Sequence, residues 1–108
     1  MKKVFVYGTL KRSYSNHHLL KSSTFLGQDT IKGEMYNLGH YPAIKNGEND
    51  IHGEVYEIDE NTEQMLDILE GVPSFYQKHT VETKYGEAIV YKMGGDLSRF
   101  PIIKNGKF

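Results

Sequence analysis

Only one stretch of this chain spaces its apolar residues as a helix does, and it carries stop signals at both ends. Asp59 can cap its start, Glu60 and Glu63 place negative charge at its positive end, and Gly71 follows as a left-handed stop with Pro73 beyond. The spacing predicts a helix over Glu60 to Glu70. Met65, Leu66, Ile68 and Leu69 form its expected buried stripe, with Glu63, Gln64 and Asp67 facing water and Glu70 at the stripe's edge. One helix without alternating strand–helix units argues against a doubly wound parallel sheet. It favours an α+β fold: a small mixed β-barrel or twisted sheet with one clear flanking helix and a second short one at most.

The remaining apolar segments read as strands. Lys3 to Tyr7 is a β-branched and aromatic burst that stops at Gly8. Thr30 to Leu38 and Ile51 to Ile58 alternate, and they share a fragment, Gly33-Glu34-Met35-Tyr36 and Gly53-Glu54-Val55-Tyr56, as two half-buried strands with the same packing needs would. Asn46-Gly47 is expected to turn the chain between Tyr41–Lys45 and the strand that follows. Lys78 to Thr83 and Glu87 to Met93 flank Lys84-Tyr85-Gly86 as a hairpin. Asn16 to Lys21 reads as a brief helical turn or a loop, and the tail from Gly94 has no period.

The 108 residues suffice for one core, so residues 1–108 are expected to form a single domain. With 38% hydrophobic and 25% charged residues, a packed core with a wetted surface is favoured over disorder. A net charge of -1 with scattered Lys and Arg lacks the basic patch that nucleic acid or an acidic membrane demands, and neither partner is expected. The absence of Cys removes disulfides and thiolate nucleophiles and fits a reducing cytoplasm. No apolar segment has the length of a signal-peptide core or a membrane span.

Several chemistries find no motif. There is no GxxxxGK[ST] phosphate loop, no GxGxxG after a strand, no GxSxG elbow and no HExxH, and the five histidines form no helical HxxxH pair. Two features remain. At Tyr7-Gly8-Thr9-Leu10 an apolar strand meets a glycine, which is either an ordinary turn or a set of N–H groups able to hold a carboxylate or oxyanion. Glu70 stands at the negative end of the helix dipole, near Asp67, Glu63 and Leu66, all of which should raise its pKa. Spacing alone leaves it open between a solvated helix-end residue and a proton carrier.

Read together, these segments are recognisable. Val4-Phe5-Val6-Tyr7-Gly8-Thr9-Leu10-Lys11-Arg12 with Asn16-His17, then Leu38-Gly39-His40-Tyr41-Pro42-Ala43, then Gly53 to Asp59, and finally Leu66 to Pro73 with Tyr76 and Lys78 follow one another in order. The set resembles the γ-glutamylcyclotransferase-like family, closest to its γ-glutamylamine cyclotransferase branch. The resemblance implies a small β-barrel with flanking helices, no metal or cofactor, and cyclisation of a γ-glutamyl compound to 5-oxoproline with release of an amine or amino acid. It implies Glu70 as catalytic acid/base, the backbone of Tyr7, Gly8, Thr9 and Leu10 as the substrate-binding turn, and Tyr76 as a pocket wall or a packed core tyrosine. The expected partner is a small γ-glutamyl molecule, with the chain a monomer or homodimer. Two positions depart from the family pattern: Ser13, where glycine is common, and Lys78, where arginine is common. The same fold without turnover, as a small-molecule binding or regulatory module, is the alternative.

Overall fold

Val4-Phe5-Val6-Tyr7 and Ala88-Ile89-Val90-Tyr91 are apolar at every position because both faces of their strands are covered. In the computed structural model, which describes residues 1–108, these segments belong to β1 (Lys2–Val6) and β5 (Gly86–Met93), paired in parallel at the centre of one sheet. Around them lie β2 (Thr24–Asn37), β3 (Pro42–Ile58) and β4 (Tyr76–Thr83), in the order β2-β3-β1-β5-β4. All other pairings are antiparallel. Val4, Val6, Ile89 and Tyr91 pack with Leu66 and Tyr76 on the face that carries the helix. Phe5, Tyr7, Ala88 and Val90 pack with Ile31, Met35, Ile44, Ile51 and Val55 on the other.

The sheet is strongly bent but does not close into a barrel, because its edge strands β2 and β4 form no ladder. They are linked at one tip, where the Lys84 N–H in the β4–β5 turn donates to the Asp29 carboxylate at 2.8 Å. Asn46-Gly47 does not turn the chain. β3 runs unbroken through it, and the extra residues are absorbed where the β2 register jumps from Gly33 opposite Asn49 to Glu34 opposite Lys45. The 108-residue chain also has a 3-10 turn at His17–Leu20, and its tail is tied to β2 by Ile103 N–H to Met35 O and a bridge from Ile102 to Tyr36.

Helix α1 (Glu60–Leu69) begins as expected, with the Asp59 carboxylate accepting the Thr62 N–H. It ends one residue earlier than predicted, in a Schellman motif: Gly71 at φ 62 donates to Ile68 O and Val72 donates to Asp67 O. The buried face differs from the expected stripe. Met65, Ile68 and Leu69 are exposed, Ile68 by 80%, whereas Thr62, Glu63 and Leu66 are buried. Lys2 and Lys78 reach across to Glu63, at 3.4 and 2.8 Å, and draw that side of the helix onto the sheet. The rotation matters because Glu70 follows Leu66 at i+4 and so faces the protein rather than the solvent.

Candidate active site

Past the carboxyl ends of the two parallel strands the chain leaves a narrow cleft of about 40 Å³, room for about three water molecules. Tyr7, Gly8, Thr9, Leu10, Glu70 and Tyr76, singled out from the sequence, all line it. Gly8 is needed for close approach: a Cβ there would lie 2.8 Å from Cδ and Cγ of the Pro42 ring. Three carbonyls of the turn have partners. Gly8 O takes the Lys11 N–H, Thr9 O takes the Asn16 N–H, and Leu10 O pairs with His17 Nδ1 at 3.0 Å. The N–H groups of Gly8, Thr9 and Leu10 donate to no protein acceptor, so the turn borders the cleft with its donors free. Ser13, just beyond, has φ 73, the left-handed region in which glycine is at ease.

Glu70 caps the helix and is half-buried against the cleft. Burial pushes its carboxyl up to about 7, and no hydrogen bond or neighbouring charge contributes. The expected push from Asp67 and Glu63 is absent for a structural reason. Lys78 on β4 binds Asp67 Oδ2 at 2.7 Å and Glu63 Oε2 at 2.8 Å, so both charges are compensated before they can act on Glu70. Lys78 therefore pins carboxylates of the helix. The same salt bridges, and Lys2 beside them, hold Glu63 below the usual carboxylate range.

The tyrosines of the cleft are tied down through their hydroxyls. Tyr7 donates to Tyr91 O at 2.6 Å, Tyr76 to Pro42 O at 2.7 Å, and Tyr91 to Asp67 Oδ1 at 2.7 Å. Burial is the main reason that all three phenols are raised, and the Glu70 charge adds to each. They therefore stay protonated, and Tyr76 makes no bond to Glu70. Tyr41, Pro42 and Tyr91 also line the cleft and were not singled out from the sequence. The usable signal was a tyrosine closing a wholly apolar strand, since a buried phenol needs a partner at its polar tip.

A wider groove of about 580 Å³ lies elsewhere, bordered by Lys11, Tyr14, Asp29, His52, Glu54 and Lys107 among others, and is mostly polar. It holds none of the catalytic or substrate-binding residues expected from the sequence. No group of three His, Cys, Asp or Glu side chains converges as a metal-binding set, and no helix is long and apolar enough to cross a membrane.

Residues 4–108 match the family model described as Gamma-glutamyl cyclotransferase, AIG2-like. The chain belongs to this family. The Gamma-glutamylcyclotransferase family protein YtfP of Escherichia coli K12 is 34% identical to it over 105 residues, 96% of this chain and 93% of that protein. A Vibrio cholerae relative, provisionally named a gamma-glutamylcyclotransferase, is 50% identical over 90 residues, 82% of this chain and 78% of its own length. The crystal structure of the uncharacterized protein PH0828 from Pyrococcus horikoshii superposes with a TM-score of 0.90 at 32% identity, covering 100% of this chain and 90% of that one. Membership in the γ-glutamylcyclotransferase family fits a cyclotransferase-like enzyme acting on a small molecule.

Proposed function

We propose that the chain, acting as one cytoplasmic domain, cyclises a γ-glutamyl amine or γ-glutamyl amino acid to 5-oxoproline with Glu70 as general acid/base. One observation carries this reading: a half-buried carboxyl with a pKa of about 7 shares a cleft with three N–H groups that have no acceptor. On this reading the turn at Gly8, Thr9 and Leu10 receives the substrate's α-carboxylate and the oxygen of its γ-carbonyl. Glu70 takes a proton from the α-ammonium group. The freed nitrogen attacks the γ-carbonyl carbon, negative charge develops on the oxygen, and the N–H groups stabilise it. Glu70 then passes the proton to the leaving nitrogen as its bond to carbon breaks, and the second proton, which the attacking nitrogen sheds as it becomes the lactam N–H, goes to the released amine, so the reaction balances without a protein nucleophile.

Because nucleophile and electrophile belong to one molecule, the protein chiefly holds a bent conformer. Such positioning can contribute on the order of 7 kcal/mol or more. A carboxyl near 7 suits the task, being part ionised to accept the proton and basic enough to hold it at neutral pH.

The test incubates the purified chain with γ-glutamyl amines, γ-glutamyl amino acids and glutathione, and measures 5-oxoproline beside Glu70→Gln. The wild type should release it, with the variant slower by at least about a hundredfold. Equal release by both proteins refutes the role of Glu70. Binding of these compounds without release by either protein would favour a small-molecule binding module on the same fold.

A further inference from the structure

Glu54 is buried, with 8% of its surface exposed, yet it borders the wider groove rather than the cleft and has no part in the steps above. A carboxylate withdrawn from water costs free energy unless polar partners replace the lost solvent. Three groups do so here. Oε1 accepts the Tyr56 hydroxyl at 2.9 Å and the Arg12 backbone N–H at 3.0 Å, and the Arg12 guanidinium stands 3.8 Å from Oε2. Glu54 and Tyr56 are two residues apart on β3 and so lie on one face of the strand.

The Arg12 N–H links this carboxylate to the cleft. Between Gly8 and Asn16 the backbone bonds largely within its own loop: Lys11 N–H to Gly8 O, Tyr14 N–H to Lys11 O and Asn16 N–H to Thr9 O, with His17 Nδ1 on Leu10 O. These bonds fix the shape of the loop but not its place on the sheet. The one backbone hydrogen bond that ties this stretch to the sheet is Arg12 N–H to Glu54. Glu54 pairs with Val6, the last residue of β1, so the anchor sits beside the point where the chain leaves the sheet for the turn. With Tyr7 tied through its hydroxyl to Tyr91 O, the donors of Gly8, Thr9 and Leu10 are held from both ends. A carboxylate makes the firmer anchor, since a hydrogen bond to a charged oxygen is about twice as strong as one to a neutral oxygen.

We propose that Glu54 is a positioning residue: by holding the Arg12 N–H it keeps the free N–H groups of Gly8, Thr9 and Leu10 aimed into the cleft. This deepens the cyclotransferase reading and rests on it. Glu54 touches no substrate and carries no proton. Its contribution is aim, and a shift of about 1 Å in groups that position or stabilise the reacting atoms can cost about a hundredfold in rate.

The experiment measures kcat and KM for 5-oxoproline release from γ-glutamyl amines, γ-glutamyl amino acids and glutathione by the full chain and by Glu54→Ala, Glu54→Gln and Tyr56→Phe, with a urea midpoint for each. Glu54→Ala should lower kcat at least about tenfold, with a smaller effect on KM, because the donors act most strongly on charge that develops after binding. Glu54→Gln keeps an acceptor oxygen for the Arg12 N–H and should retain at least about a third of kcat. Tyr56→Phe takes a donor from the same carboxylate but leaves the Arg12 N–H in place, so it should lower the urea midpoint while kcat stays within about twofold. The acid limb of kcat/KM should not move in any variant, because burial alone raises the Glu70 carboxyl and only a collapsed cleft would change it. In the wild type the Arg12 amide should exchange with solvent deuterium at least about tenfold more slowly than those of Gly8, Thr9 and Leu10, a measurement that needs no variant to fold. A kcat in Glu54→Ala equal to the wild type, a loss in Tyr56→Phe as large as in Glu54→Ala, or an Arg12 amide that exchanges as fast as the three free ones overturns this inference and leaves the cyclotransferase reading standing. Release of 5-oxoproline by none of the proteins, the wild type included, overturns both.

Discussion

Replacing Glu70 by Gln should stabilise this protein, and by an amount that depends on pH. In the unfolded chain the carboxyl titrates near 4.5, and in the folded protein burial raises it to about 7. The fold therefore binds that proton more tightly than the unfolded chain does. A group raised on folding lends its full stability below its unfolded pKa and loses it as pH climbs through the folded value. The loss should begin near pH 4.5 and level off above about 7. The difference of about 2.5 pH units, at about 1.36 kcal/mol each, amounts to at most about 3 kcal/mol of ionisation penalty at pH 8. Gln has nearly the same volume and cannot ionise, so Glu70→Gln should match the wild type near pH 4.5 and exceed it by about 2 to 3 kcal/mol at pH 8. Urea titrations of both proteins at half-unit steps from pH 5 to 8 would measure this. Asp59 and Glu63 do not interfere, because their pKa values are lowered and titrate beneath that window. Two parallel stability curves would refute the reasoning, since they would mean that the Glu70 carboxyl is as well solvated in the fold as out of it.

Two further substitutions test the surroundings of the same cleft. Gly8→Ala forces a methyl to within 2.8 Å of the Pro42 ring, so it should cost about 1 to 3 kcal/mol in urea titrations and lower kcat/KM for 5-oxoproline release more than tenfold by shifting the turn. Lys78→Met leaves the half-buried Asp67 with no cation and the largely buried Glu63 with only Lys2, at 3.4 Å, and should cost about 1 to 3 kcal/mol at pH 6. That gap should shrink at pH 3, because Glu63, lowered on folding by its lysines, gives its stability above its unfolded pKa and loses it as pH falls.

The parts of this fold that were legible share one property: a local pattern with only one way to be satisfied. Doubly apolar β1 and β5 had to be central, and Asp59 and Gly71 bounded the helix because capping and left-handed backbone are properties of single residues. What failed depended on distant partners. The buried side of α1 was set by Lys2 and Lys78, residues 61 and 15 positions from Glu63, and not by the apolar content of the helix. Asn46-Gly47 has the chemistry of a hairpin turn, yet the pairing of β3 with β2 continues on both sides of it and converts it to a bulge. The cleft residues were found by motif, whereas Tyr41 and Tyr91 were missed because their contribution comes from hydrogen bonds and stacking across the sheet.

The cause of the Glu70 shift separates two designs that look alike in sequence. Three acids within two helical turns suggest a base tuned by mutual repulsion, a device that would vary with ionic strength and with each neighbour's own titration. Here Lys78 removes two of the charges from that contest, and Asp67 is engaged further by the Tyr91 hydroxyl. The walls alone then set the proton affinity. If Asp67 were left unpaired one turn away, the carboxyl would be driven upward again and would stay protonated at neutral pH, unable to act as the base of the proposed reaction. A lysine that never touches the cleft thus keeps its carboxyl in the useful range, and Lys78→Met should move the acid limb of kcat/KM to higher pH as well as weaken the fold. An unmoved acid limb would show that the walls set the value whether or not Asp67 is paired.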